Sequence, residues 1–348
     1  MLEYTLCGSN HKKLRGCFSL ATSIKDIAAA AEVSVATVSY VINGTRKVAP
    51  ETAIRVQEAM EKLNYIPNIM ARNLRTNNTK SIAIIIQSLS HGYFNDVIDS
   101  IYDALLPHGY TMLLCITQNS IEEEIKAFKS MVTHQVSGII MAPIQSDFNF
   151  KDLCPRPNFP LVFIDRTQKA TAADSVICNN YDITYQAVTG LIKQGHSRIA
   201  YLYGNQIRPL STNVDRMNAY RSALVDNGIP ISDELILGHN VGFDESYRTM
   251  AKVIRETNAT ATFIANGGIT VPALHCLQDM NVAVPEQMSV VSFDEYSWSD
   301  LLAVPISTIR QPATELGLNA ARLILERIKN PNKAHETVIL QSDLTIRV

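Results

Sequence analysis

Ser23-Ile-Lys-Asp-Ile-Ala-Ala-Ala-Ala-Glu-Val-Ser-Val-Ala-Thr-Val-Ser-Tyr-Val-Ile-Asn-Gly44 is the stretch whose reading decides the fold of this 348-residue chain. Ser23 followed three residues later by Asp26 is a capping box, and it predicts a first helix from Ile24 to about Ala31. Ser34 is suited to cap a second helix from Val35 to about Ile42, and Asn43-Gly44 supplies its stop signal. The two short helices are joined by a turn of about three to four residues, and the second carries polar side chains on one face. That is how a chain presents a helix to the major groove of DNA.

Pro50, at a first helical position, starts a third helix in which Ala53, Val56, Met60 and Leu63 recur on one face. Pro67 ends that unit. Asn68–Arg75 can form two helical turns, but so short a helix is unstable alone and is expected to fold only against something. Asn77-Asn78-Thr79 is a polar joint. From Ser81 the texture changes to short β-rich runs alternating with amphipathic segments. Ile82–Ile86, Tyr110–Ile116, Gly138–Met141 and Leu161–Ile164 read as buried parallel strands, with helices near 94–106 and 121–134. The pattern repeats with strands at Arg198–Tyr203, Ala261–Ala265 and Met288–Phe293 and helices near 182–194, 215–227, 245–256 and 269–280. A helix near 312–329 and β segments around 336–346 close the chain.

Two successive α/β sheets of similar size imply two doubly wound, parallel lobes with a cleft between them, and ligands gather at the carboxyl ends of such strands. The expected organisation is an N-terminal extension at 1–22, without order, a helix-turn-helix domain at 23–67 and a hinge helix with linker at 68–80. The core follows at 81–348, its N-lobe about 81–178 plus 313–339 and its C-lobe about 179–312 plus 340–348.

Composition agrees with a multi-domain globular chain. It is 46% hydrophobic and 18% charged, and no run reaches the ~18 uninterrupted apolar residues of a membrane span. The overall charge of −2 hides an asymmetry. Residues 23–80 carry eight Lys/Arg against five acids, whereas residues 81–348 carry 20 against 27, which suits a chain that touches a polyanion at one end. The six cysteines (Cys7, Cys17, Cys115, Cys154, Cys178, Cys276) form no Cys-x-x-Cys pair and no metal-ligand spacing, so free thiols in a reducing cytoplasm are expected. Residues 1–22 contain no apolar stretch or small-residue cleavage site of a signal peptide. No nucleophile elbow, phosphate loop or His-Glu-x-x-His is present, and His196 in Gly195-His-Ser-Arg198 reads as a turn residue. Neither enzymatic activity nor a cofactor or metal is expected.

Val33-Ser-Val-Ala-Thr-Val-Ser39, Val41-Ile-Asn43, Leu63-Asn-Tyr-Ile-Pro-Asn68, Ala71-Arg72 and Leu74 resemble the head and hinge of the LacI/GalR family of bacterial transcription regulators. The resemblance continues through Val136-Ser-Gly-Ile-Ile140, Phe163-Ile-Asp-Arg166, Gly195-His-Ser-Arg-Ile-Ala200, Arg216 with Tyr220, Val284-Pro285, Ser289-Val-Val-Ser-Phe-Asp294 and Ser307-Thr-Ile-Arg-Gln311. It implies a helix-turn-helix head, a hinge helix and a dimeric, periplasmic-binding-protein-like core that senses a small effector, most often a sugar. Three departures stand out. The turn has Glu32 where the family carries Gly after Ala, Ala49 replaces the usual Ser cap before Pro50, and Asn266-Gly267 replaces a frequent Asn-Asp.

By match to the family, Val35, Ala36 and Tyr40 fall at base-facing positions. The first two offer methyl contacts and Tyr40 a hydroxyl, while Thr37, Ser39 and Asn43, with the cap Ser34, suit the phosphate side. Leu74 on the hinge would wedge between base pairs in the minor groove. Sugars are held by planar, charged or amide side chains and an aromatic face. The positions carried over are Gln87, Phe94, Asp165, Arg216, Asn266 and Asp294, with Arg216 the foremost because a cationic fork suits hydroxyls and anions alike. The expected function is a dimeric repressor of carbohydrate-utilisation genes whose affinity for operator DNA is set by a sugar or sugar derivative between the lobes. Two other readings remain open. A family member can instead answer to a corepressor (a purine or a phosphocarrier protein), and a two-lobed sugar-binding protein can lack any regulatory role.

Overall fold

The computed structural model describes residues 22–43, 46–65, 79–90, 92–154, 156–204, 210–240, 242–296, 299 and 304–347. The chain divides into two compact units, 1–76 and 77–348. In the first unit, α1 (Ile24–Ala30), α2 (Val35–Asn43) and α3 (Pro50–Lys62) follow one another. The capping box at α1 is complete: the Ser23 amide donates to Asp26 Oδ2 at 2.7 Å, and Asp26 N–H points at Ser23 Oγ at 3.4 Å. Ala49 gives α3 no side-chain cap, so that helix begins on Pro50 alone. Ile27, Ala28, Ala31, Val38, Val56 and Ala59 form the small core, and Val38 and Val56 are fully buried.

The second unit holds two six-stranded sheets. The first contains β1 (Ser81–Ile86), β2 (Thr111–Ile116), β3 (Gly138–Met141), β4 (Leu161–Ile164), β5 (Asp174–Cys178) and β11 (Thr337–Leu340), in the order β11-β5-β4-β3-β1-β2. The second contains β6 (Ile199–Gly204), β7 (Ile236–His239), β8 (Ala261–Ile264), β9 (Ser289–Phe293), β10 (Ser307–Arg310) and β12 (Asp343–Thr345), ordered β12-β10-β9-β8-β6-β7. All pairings are parallel except β10 with β12, so the second sheet is not wholly parallel as the sequence implied. Apolar helix faces cover these sheets. In the first lobe α4 (Gly92–Leu105) and α10 (Ala313–Lys329) pack on one side and α5 (Ile121–Thr133) serves the other. In the second lobe α6 (Asn180–Lys193) and α7 (Ser211–Asp226) pair, as do α8 (Phe243–Glu256) and α9 (Gly267–Asp279).

The chain passes between lobes after β5, after β10 and after β11. The first and third passages are tied side by side. Asn179 Nδ2 donates to Gln341 Oε1 at 2.7 Å, and Ser342 N–H donates to Asn179 Oδ1 at 2.8 Å. Strand β2 corrects the expectation of a buried strand: it pairs with β1 alone and leaves Leu114 and Ile116 exposed, as an edge does.

Two buried carboxylates fix the N-lobe. Asp174 accepts both arms of Arg327, Nε at 2.9 Å and Nη2 at 2.8 Å, and also the Glu336 amide at 2.9 Å. Glu124 accepts the Ile144 amide at 2.7 Å and Gln145 Nε2 at 3.4 Å, holding the segment that follows β3. Burial pushes the Glu124 carboxyl up to about 6, against the pull of those hydrogen bonds and of Arg166. A carboxyl raised above its unfolded value of 4.5 lowers stability once ionised, so the stability it permits is complete below about 4.5 and is lost as pH rises through about 6. Glu124→Gln keeps an acceptor for Ile144 and removes this dependence. Relative to the parent, the variant should gain roughly 2 kcal/mol on going from acid to neutral pH, read by urea unfolding of both chains at each pH.

Candidate effector cleft and DNA-facing helix

In the head, Ser34 Oγ accepts the Thr37 amide at 3.1 Å and lies 2.9 Å from Thr37 Oγ1, which fixes the start of α2. Val38 points inward, fully buried, and this sets the helix rotation. Val35 (41% exposed) and Ala36 consequently face outward and are open to a partner. Thr37, Ser39 and Tyr40 are half-buried. The Arg46 guanidinium lies 5.5 Å from the Tyr40 ring centroid, a cation–π contact that keeps a positive charge beside α2 and that the sequence reading missed. The Asn43 side chain and Leu74 lie outside the described residues, as does the hinge segment around Leu74.

Glu32 adopts φ 54°, the left-handed conformation that its place in the turn demands. A side chain there is strained by about 1 kcal/mol relative to Gly. Glu32→Gly should therefore protect the α1–α2 amides by up to about 1 kcal/mol, measured by hydrogen exchange on the full chain.

In the core, each of the six carried-over residues lines one cavity of about 110 Å³ between the lobes. Gln87 follows β1, Phe94 stands on α4 and Asp165 follows β4; Arg216 stands on α7, Asn266 precedes α9 and Asp294 follows β9. Asp165 and Asp294 occupy corresponding strand ends in the two lobes, and both take left-handed backbone, φ 66° and 74°. Aspartate tolerates that conformation better than most residues.

Arg216 is the centre of the arrangement. It is 4% exposed, donates Nε to Asn180 Oδ1 at 2.8 Å and Nη1 to Ala265 O at 2.6 Å, and lays its guanidinium 3.3 Å from the Phe293 ring centroid. Burial lowers the Arg216 pKa, opposed by Asp294 and Asp165. Burial also raises Asp165, against the guanidiniums of Arg166 and Arg216. Asn266 Oδ1 accepts the Gly204 amide at 2.8 Å while its Nδ2 donates to Asn213 Oδ1 at 3.1 Å, so its amide plane is fixed.

Phe94, 4% exposed, belongs mostly to the N-lobe core and meets Tyr93 edge-on at 5.0 Å. Further lining residues escaped the sequence reading as site residues, Tyr93, Arg166 and Gln311 among them. Tyr93 adjoins Phe94. Arg166 places Nε 3.1 Å from Asp165 Oδ2, an ion pair. Gln311 stands where the chain passes between lobes after β10 and donates Nε2 to Asp294 Oδ1 at 2.6 Å. Gln311 ended a quoted motif, and a polar residue just past a buried strand was the available signal. Oε1 of Gln87 and Oε1 of Gln311 are buried without a partner.

The substitution at Gly267 has a steric explanation. A Cβ there would lie 2.6 Å from Asp294 Oδ2 and 2.8 Å from the Tyr296 hydroxyl, which donates to Gly267 O at 2.6 Å. The Asp294 carboxylate thus stands where a side chain at 267 would begin. His196 is a clip: Nδ1 lies 2.9 Å from Thr260 Oγ1 and Nε2 2.9 Å from Ser289 Oγ. Trp298 is outside the described residues. Among the described residues no group of His, Cys, Asp or Glu could hold a metal ion, and no helix is long and apolar enough to cross a membrane.

Residues 23–68 match the model of bacterial regulatory proteins of the lacI family, and residues 188–348 match that of a periplasmic binding protein-like domain. The HTH-type transcriptional repressor PurR of Vibrio atlanticus is 31% identical over 321 residues, covering 92% of this chain and 95% of the relative. PurR of Vibrio parahaemolyticus is also 31% identical, over 327 residues, covering 93% and 97%. Among solved structures, a LacI-family regulator from Silicibacter pomeroyi superimposes with a TM-score of 0.82 at 22% identity, covering 94% of this chain and 98% of that one. The Lac repressor bound to ONPG does so with a TM-score of 0.80 at 24% identity, again covering 94% and 98%. Those two likenesses concern the fold; the sequence relatives carry the relationship further. The chain belongs to the lacI family of bacterial regulatory proteins.

Proposed function

We propose that this chain is a transcriptional repressor that binds operator DNA as a homodimer and whose operator affinity is set by a sugar held between the two lobes. Relatives named as transcriptional repressors support the first part, and the outward-facing Val35 and Ala36 on a capped α2 are consistent with it. The observation that carries the sugar is the polar lining: two carboxylates, two guanidiniums and four carboxamides around a cavity of about 110 Å³. Such planar donors and acceptors match adjacent hydroxyls, and two acceptors, Gln87 Oε1 and Gln311 Oε1, lack a donor. A volume well below the several hundred Å³ of drug-sized pockets suits a single ring.

The relatives named PurR favour a second reading, a purine corepressor. Against it, Phe94 is packed into the lobe core and Phe293 is covered by Arg216, so neither phenylalanine offers an open face to a base.

The lining also suggests how binding changes the lobes. Arg216 is tied to Asn180 at the first inter-lobe passage, Asp294 to Gln311 at the second, and Asn179 joins the first passage to the third. A ligand that draws on Arg216 and Asp294 pulls on all three. Coupling of this kind is worth ~1–3 kcal/mol. The exposed edge of β2, with Leu114 and Ile116, offers apolar surface suited to a second copy. The test is fluorescence anisotropy of the full chain with fragments selected from genomic DNA, with and without free sugars. Sequence-selective binding that a sugar shifts is expected; binding shifted only by purines favours the second reading, and no selective binding in any state refutes the repressor.

A further inference from the structure

Asp294 stands in the cavity on a left-handed turn at the end of β9, and Gln311 Nε2 donates to its Oδ1 at 2.6 Å. What holds that turn is the next residue. The Glu295 side chain, 7% exposed, reaches across to β10, where Oε1 accepts Thr308 Oγ1 at 2.9 Å and Oε2 accepts Arg310 Nε. Thr308 and Arg310 stand two apart on the strand and so share one of its faces. Gln311 directly follows Arg310, so one carboxylate ties both cavity residues, Asp294 and Gln311, to the same strand.

A second cation comes from far along the chain. Arg347, two residues beyond β12, donates Nη2 to Glu295 Oε1 at 2.7 Å and Nη1 to Thr308 Oγ1 at 2.7 Å. Its amide donates to Ser307 Oγ at 3.1 Å, and Nη1 also points at Ile306 O at 3.3 Å. The two guanidiniums on Glu295 are not equivalent. The Arg310 side chain is 61% exposed, so water and salt screen its pairing, whereas that of Arg347 is 20% exposed. Arg347 is therefore the stronger partner. Neither Glu295 nor Arg347 is among the residues that line the 110 Å³ cavity.

We propose that Arg347 is a positioning residue of the effector site, acting through Glu295 to hold the Asp294 turn and the β10–Gln311 passage where the ligand meets them. The inference rests on the reading of the cavity as the effector site, and it applies to any ligand that contacts Asp294. Contacting groups must be kept within about 0.5 Å of their productive places, and charge-assisted bonds behind them supply that restraint. A residue that merely fastened β12 to β10 would change the stability of the chain and leave the affinity of the folded protein alone.

Calorimetric titration of the full chain with D-ribose, D-glucose and hypoxanthine tests it, at a temperature where urea unfolding shows every variant folded. Arg347→Met should weaken the probe that binds the parent by about tenfold, as losing the partner that orients a ligand-contacting group does. Arg347→Lys returns the charge to Glu295 without the fork and should recover at least half of that loss on a logarithmic scale. In a Glu295→Gln background, Arg347→Met should add little, because the carboxylate through which it acts is gone. Unchanged affinity in Arg347→Met overturns the inference and leaves the reading of the cavity intact. A Lys variant no better than Met, or full additivity with Glu295→Gln, overturns the route through Glu295. A parent that binds none of the three probes overturns the reading of the cavity and the inference with it.

Discussion

Arg216→Met should abolish the response of operator binding to effector and destabilise the core by about 3 kcal/mol or more. The guanidinium is 4% exposed and sits among Asn180 Oδ1, Ala265 O and the Phe293 ring. Met approximates its length and apolar stem but none of its donors, so two buried acceptors lose their partner. Asp165 loses one of the two cations that hold its carboxyl down against burial and moves further up, toward the neutral acid. Stability is read by urea unfolding and response by anisotropy. Loss of response with full stability would mean that Arg216 serves only the ligand. Loss of stability with an intact response would mean that it serves only the fold.

Asp174→Ala should cost about 3–5 kcal/mol, because it leaves Arg327 buried, at 4% exposed, without its carboxylate. The pair joins β5 to the C-terminal turn of α10, and Asp174 also receives the amide of Glu336 just before β11. Arg327 additionally donates Nη2 to Ala334 O at 3.1 Å and Nη1 to Lys333 O, so the loop leading to β11 depends on one guanidinium. Arg327→Met should be similarly harmful. The double variant Asp174→Leu/Arg327→Met should be milder than the sum, since no buried charge is then left alone. Additive losses in the double-mutant cycle would contradict a bidentate pair.

How much of this was legible in the sequence depended on which physical signal dominated locally. The head was legible because its signals are local: Ser23 with Asp26, Ser34 and Pro50 fix helix starts without reference to anything distant. Strands Gly138–Met141 and Leu161–Ile164 are short, uniformly apolar and fully enclosed, and they fall where the pattern puts them. Asp174–Cys178, Ile236–His239 and Ser307–Arg310 were not recognised as strands. Each is short and mixes polar residues or Gly into the run, and what makes it a strand is pairing with a neighbour far along the chain. Gly238 is the plainest case: the Tyr203 ring lies 2.5 Å from where its Cβ would be, so packing across the sheet requires a residue that strand propensity disfavours.

The cleft shows the same division. Gln87, Asp165, Asn266 and Asp294 stand immediately past buried strands, where an α/β sheet delivers its ligands' contacts, and a reader of strands finds them. Gln311 and the roles of Asn179 and Asn180 depend on how three passages between lobes meet in space, which no local pattern records. Arg166 stood in the sequence only as the end of a quoted motif; in the structure it pairs with Asp165 and lines the cavity.

In the proposed mechanism one ligand in the cleft and one DNA site on the head share a free energy. The most direct measurement is the affinity of the full chain for the proposed sugar, by calorimetry, first alone and then saturated with operator DNA. Linkage predicts that operator changes sugar affinity by the same factor by which sugar changes operator affinity, about fivefold to a hundredfold for couplings of ~1–3 kcal/mol. Equal sugar affinity in the presence and absence of operator would contradict the account.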